Sequence, residues 1–147
     1  HRLGCAMPDR FTAIAPVAGT LAEGFNCAPE QPISLMHIHG DEDTYVRVDG
    51  KQSSDGYRYE TIDKVVDKWA SPSSQHCATA TTSYPTSADG IEGMLCTQRA
   101  DCATEAEVVS CGWQGGHAWP AFGRDVIWDF FRKHSRRDYI SSGDITP

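Results

Sequence analysis

Residues 107–121 constrain the fold more than any other stretch of this chain. The run Val108-Val109-Ser110-Cys111-Gly112-Trp113 has the length and β-branched content of a short buried strand. It runs straight into Gln114-Gly115-Gly116-His117-Ala118-Trp119-Pro120-Ala121. The paired glycines are expected to turn the backbone sharply, because glycine alone enters positive φ at no steric cost. Trp119-Pro120 then stops the chain from continuing straight. A histidine held at the mouth of a strand suits general-base chemistry, since imidazole titrates near neutrality. Standing alone, His117 reads as a polar loop residue.

An upstream stretch changes the balance. Ile33-Ser34-Leu35-Met36-His37-Ile38-His39 predicts a second strand, and Gly40-Asp41-Glu42-Asp43-Thr44-Tyr45-Val46 an acidic loop directly after it. In open α/β sheets reactive groups gather just beyond the carboxyl ends of the strands. A carboxylate after one strand and a histidine after a later one fit that placement.

The rest of the chain supports an α/β class. His1–Met7 reads as the end of a helix stopped by Pro8, and Phe11–Val17 as a strand whose Ala13 and Ala15 admit close helix packing. Tyr57–Trp69 is an amphipathic helix, with Ile62, Val65, Val66 and Trp69 on one face and Glu60 opposite Lys64. Residues 71–90 are rich in Ser, Thr, Ala and Pro and read as a long surface loop. Arg124–Lys133 closes the pattern as a helix with Val126, Ile127, Phe130 and Phe131 on one face. The basic run Arg132–Arg137 complements that helix's dipole. Strands alternating with helices imply a parallel sheet with flanking helices in a single domain spanning residues 1–147.

Charge and cysteine content limit the functional classes. A net charge of −7 argues against nucleic-acid binding, which needs clustered Lys and Arg. No run approaches the roughly 18 apolar residues of a membrane span. Six cysteines in 147 residues point to an oxidising, extracellular or periplasmic compartment. No Cys-x-x-Cys occurs, which argues against a zinc ribbon or a thioredoxin motif. Residue spacing leaves the disulfide connectivity open.

Three stretches resemble the C-terminal half of α/β-hydrolases of the polyhydroxybutyrate depolymerase and feruloyl esterase type. Arg2-Leu3-Gly4-Cys5-Ala6-Met7-Pro8-Asp9-Arg10-Phe11 through Gly19-Thr20 resembles the helix after the nucleophile and the strand following it. His37-Ile38-His39-Gly40-Asp41-Glu42-Asp43-Thr44-Tyr45-Val46 resembles the family's acid loop, and Gly115-Gly116-His117-Ala118-Trp119-Pro120 its base loop. The resemblance implies a serine carboxylic-ester hydrolase with Asp43 as triad acid and His117 as base, following the chain order Ser, Asp, His. Asp41 is the competing acid, although spacing favours Asp43, and Arg47 stands where the family carries proline. The implied disulfides are Cys5–Cys27, Cys77–Cys102 and Cys96–Cys111, the last requiring residues 91–96 to run beside the His117 strand. No Gly-x-Ser-x-Gly occurs in the chain. The resemblance puts the nucleophile within about ten residues before His1, which makes the chain a fragment expected to be inactive alone. It implies a secreted enzyme acting on a polyester or a feruloyl or acetyl ester of a polysaccharide, with no cofactor.

Two other functional classes remain. His37-x-His39-x-Asp41 matches the start of a zinc-hydrolase signature, but Glu42 stands where that signature continues with histidine. The simpler expectation is no metal, with His37 packed beside the sheet and His39 bracing the acid loop. A non-catalytic disulfide-bonded binding module is the third reading. Trp119 and Tyr45 are candidate substrate contacts, with packing and plain surface exposure as their simpler roles. His1, His76 and His134 are expected to be solvated.

Overall fold

The computed structural model describes residues 1–54, 56–71 and 75–134. Its centre is a five-stranded mixed sheet. The strands are β1 (Ala13–Ile14), β2 (Ser34–Gly40), β3 (Thr81–Ser83), β4 (Leu95–Arg99) and β5 (Val108–Trp113), ordered β1-β2-β5-β4-β3. Among the described residues three α-helices accompany it: α1 (Arg2–Ala6), α2 (Ile62–Ala70) and α3 (Gly123–Lys133). The fold is therefore α/β and disulfide-bonded. Among the described residues no helix is long and apolar enough to cross a membrane.

The expected all-parallel sheet is corrected. Strands β1, β2 and β5 are parallel, whereas β4 runs antiparallel to β5 and β3 antiparallel to β4. The reason lies in the connections. A parallel return needs a crossover, and no helix longer than the single turn Ile91–Gly93 stands between β3 and β5. Strand β3 lies inside the stretch expected to be loop, of which 72–74 fall outside the described residues. The first strand is also shorter than expected: it pairs at Ala13 and Ile14 and touches β2 again only through a bridge from Val17 to Ile38.

Strand alternation divides the core between the two faces of the sheet. On one face Met36, Ile38, Val109, Cys111 and Trp113 pack against Val126, Ile127 and Phe130 of α3. On the other, Ile33, Leu35 and Val108 pack against Ile62, Val65, Val66 and Trp69 of α2. Phe131, expected on the buried face of α3, is 38% exposed, because it follows Phe130 and points away from the sheet. Helix α2 begins later than its amphipathic pattern predicts. Thr61 caps it by accepting the Lys64 N–H at 3.2 Å, while Tyr59 bridges Ala22. Glu60 lies just outside the helix, buried, where Lys68 Nζ donates to it at 2.9 Å and Lys64 lies 3.8 Å away. The run Arg132–Arg137 follows α3 as far as the described residues reach; residues 135–137 lie outside them.

The disulfides are Cys5–Cys27, Cys77–Cys102 and Cys96–Cys111. The first ties α1 to the segment before β2. The last joins directly paired positions of β4 and β5, so the antiparallel neighbour that broke the parallel pattern is also the one stapled to the His117 strand. Removing this bridge with Cys96→Ala and Cys111→Val is expected to cost about 3 kcal/mol, from the loop-closure entropy restored to the unfolded chain. Urea unfolding of the variant and the unmodified protein measures it.

Candidate acid–base site

The carboxyl ends of β2 and β5 lie side by side, with Gly40 opposite Trp113 in register. Backbone hydrogen bonds then sew the two following loops together. Asp41 N–H donates to Trp113 O at 2.8 Å and Glu42 N–H to Gly115 O at 2.9 Å. This approach is so close that a Cβ on Gly40 would collide with the Gly115 and Gly116 carbonyl oxygens. At Gly115 a Cβ would enter the Trp113 ring. These contacts explain Gly40 and Gly115, whereas a Cβ on Gly116 would meet nothing closer than 4.0 Å, and neither Gly115 nor Gly116 has the expected positive φ. Close packing, not a special backbone conformation, excludes a side chain at Gly40 and Gly115.

The sewn loops bring Asp43 to His117. His117 Nδ1 lies 2.9 Å from Asp43 Oδ2, across 74 residues of sequence. The Asp43 carboxylate is fully buried, and its Oδ1 accepts the backbone N–H groups of Tyr45 and Val46, each at 2.9 Å. His39 Nε2 sits 3.2 Å from Oδ2 and 2.7 Å from the Val46 carbonyl oxygen. The carboxylate is thereby held in one orientation. The His117 ring is 42% exposed, and among the described residues its Nε2 has no partner. The arrangement leaves one imidazole nitrogen free to exchange protons at the surface, while the other donates to a fixed, buried anion. That geometry fixes hydrogen on His117 Nδ1 and leaves Nε2 able to accept a proton from a neighbouring group.

Asp41 takes no part in this contact. Its carboxylate lies over Gly112, close enough that a Cβ there would meet Oδ1 at 2.8 Å, and it makes no bond to His117. Tyr45 is 57% exposed, with its ring centroid 5.4 Å from that of His117. Trp119 is 61% exposed, and its indole nitrogen edge rests on Gly123 at the start of α3. Tyr45 therefore flanks the acid–base pair by ring contact, whereas Trp119, two residues after His117, turns its indole toward the start of α3. A cleft of about 440 Å³ between α3 and residues 84–87 includes neither Asp43 nor His117.

His37 and His39 share one face of β2 with rings stacked at 5.3 Å, as strand alternation requires. Their nitrogens are engaged with each other and with neighbouring groups, and among the described residues no cluster of three or more His, Cys, Asp or Glu is placed to hold a metal ion. Two histidines expected to be solvated are not. His1 bonds His37 at 3.2 Å and takes the Trp69 indole N–H at 3.0 Å. His134 lies within hydrogen-bond reach of Ser34 Oγ at 3.0 Å and Glu107 Oε2 at 3.1 Å. His76 is exposed. That expectation came from the polar residues around them in the sequence, and it failed because sequence neighbours say nothing about which strand an imidazole will meet. The donors that fix Asp43 were also missed; the sequence offers a signal for them, since an Asp two and three residues before free N–H groups forms such a turn.

Burial, reinforced by neighbouring His39, pushes the His37 imidazole from 6.5 down to about 3. Folded His37 thus binds fewer protons than the unfolded chain between those values, so its contribution to stability is complete above about 6.5 and falls as the pH drops toward about 3. The protein is expected to lose stability in this window at up to roughly 1 kcal/mol per pH unit more than a His37→Gln variant. Urea midpoints of the two proteins at successive pH values measure the difference. Parallel slopes would contradict it.

Compared with known proteins, the chain matches no family model and no curated sequence. The acid–base geometry therefore stands on the residues themselves.

Proposed function

We propose that this chain supplies the acid and base of a serine carboxylic-ester hydrolase, and that it is part of an α/β-hydrolase of the polyester depolymerase and feruloyl or acetyl esterase type. The observation that carries this reading is the hydrogen bond from His117 Nδ1 to buried Asp43, with Nε2 free at the surface. The serine is proposed to lie within about ten residues before His1, on the strand-to-helix turn after a strand that would pair with β1, which among the described residues is an edge of the sheet. His117 Nε2 takes the serine proton as Oγ attacks the ester carbonyl, then returns it to the departing alcohol. The resulting acyl-enzyme is cleaved by water through the same proton transfers. Asp43 keeps its charge throughout and stabilises the imidazolium. Tyr45 and Trp119 are proposed to line the approach of the ester. The three disulfides fit an oxidising compartment, and secretion is part of the proposal.

The test is hydrolysis of p-nitrophenyl acetate and p-nitrophenyl butyrate by the full-length protein. The proposal expects turnover that withstands metal chelation. Absence of turnover on these esters and on methyl ferulate, or its loss on chelation, would refute it.

A further inference from the structure

A continuous line of hydrogen bonds runs along the α2 face of the sheet into the acid–base site. Trp69 Nε1 is 3.0 Å from His1 Nδ1, and His1 Nε2 is 3.2 Å from His37 Nδ1. His37 Nε2 is 3.2 Å from His39 Nδ1. His39 Nε2 ends the line, 2.7 Å from Val46 O and 3.2 Å from Asp43 Oδ2. The two ends set its direction. An indole N–H only donates and a peptide carbonyl only accepts. His1, His37 and His39 must then each carry hydrogen on Nε2 and accept at Nδ1, and the line closes with all three imidazoles neutral. His37 is 0% exposed and His39 2%, so solvent offers them no alternative partners.

We propose that His39 is a positioning residue for the Asp43–His117 pair, with its tautomer set by His37 and His1. Its Nε2–H is shared between the Val46 carbonyl and Asp43 Oδ2, the same oxygen that receives His117 Nδ1–H. With the Tyr45 and Val46 amides on Oδ1, this donor leaves the carboxylate a single orientation, in which its remaining acceptor direction points at His117. Without it, a buried lone pair loses its donor and the carboxylate is free to turn. The inference rests on the proposed acid–base role of Asp43 and His117, and two of its readouts need no turnover.

The experiment is long-range proton–nitrogen NMR of the full-length protein labelled with ¹⁵N-histidine, followed by kinetics of two variants. His37 and His39 are expected as Nε2–H tautomers; an Nδ1–H tautomer on His39 would overturn the proposal. His39→Leu is expected to lower kcat on p-nitrophenyl acetate between about tenfold and a hundredfold with KM held, and to displace the His117 Nδ1–H resonance. His39→Gln places an amide donor near the same point and is expected to recover most of both. A folded His39→Leu with unchanged kcat and unchanged resonance contradicts the proposal, as does a folded His39→Gln no better than leucine. Should the leucine variant fail to fold, the tautomers and the glutamine variant decide. A protein with these tautomers and this resonance but no ester hydrolysis would refute the esterase reading and leave the positioning geometry standing.

Discussion

His117→Ala in the full-length protein is expected to lower kcat for ester hydrolysis by on the order of a millionfold, with little change in stability. The size of the effect follows from the two proton transfers proposed for Nε2. Without it the serine hydroxyl stays protonated and the leaving alcohol receives no proton, so the remaining groups cannot complete either half of the reaction. Stability should hold because the ring is 42% exposed and its one hydrogen bond is to Asp43, whose Oδ2 keeps His39 beside it. Because the groups act as a unit, adding Asp43→Ala to His117→Ala should cost little more. Steady-state kinetics of the single and double variants, with circular dichroism to show that they fold, measure this.

Asp43→Asn is expected to cost about 10⁴-fold in kcat, through the tautomer of His117 rather than through loss of structure. The Tyr45 and Val46 amides both donate to Oδ1, so an asparagine must place its oxygen there and its NH₂ at the Oδ2 position. That NH₂ would face His117 Nδ1, which now has to accept. The imidazole proton moves to Nε2, and the nitrogen that should take the serine proton is already occupied. Asp41→Asn tests the competing acid in the same assay. With its carboxylate over Gly112 and no bond to His117, its kcat should stay close to that of the unmodified protein. Equal losses in the two variants would contradict the assignment of roles.

How much of this was legible in the sequence varies by element. Strand β5 coincides with its apolar run Val108–Trp113, and β2 is displaced by only a residue or two, because buried central strands have a composition that solvent-facing segments lack. The edge strand β3 was invisible. Thr81, Thr82 and Ser83 are all exposed and carry no apolar alternation, so only pairing with β4 defines them as a strand. The antiparallel turn of the sheet was hidden for the same reason. Asp43 and His117 could be chosen from their motifs, and the meeting of their loops follows from β2 and β5 being neighbours. What sequence could not supply was the role of the glycines at 40 and 115, which depends on how closely two loops approach, or the environment of His1, which depends on α1 reaching the face of β2.

Asp43 and His117 are proposed to serve a serine nucleophile in ester hydrolysis. The most direct measurement is mass spectrometry of the full-length protein after treatment with a fluorophosphonate, in which serine Oγ displaces fluoride and leaves a stable phosphonyl ester. A single serine adduct is expected to form in step with loss of esterase activity, to be unaffected by chelators, and to fail to form at an appreciable rate in His117→Ala. Ester hydrolysis that persists without any serine adduct, or labelling indifferent to His117→Ala, would contradict the proposal.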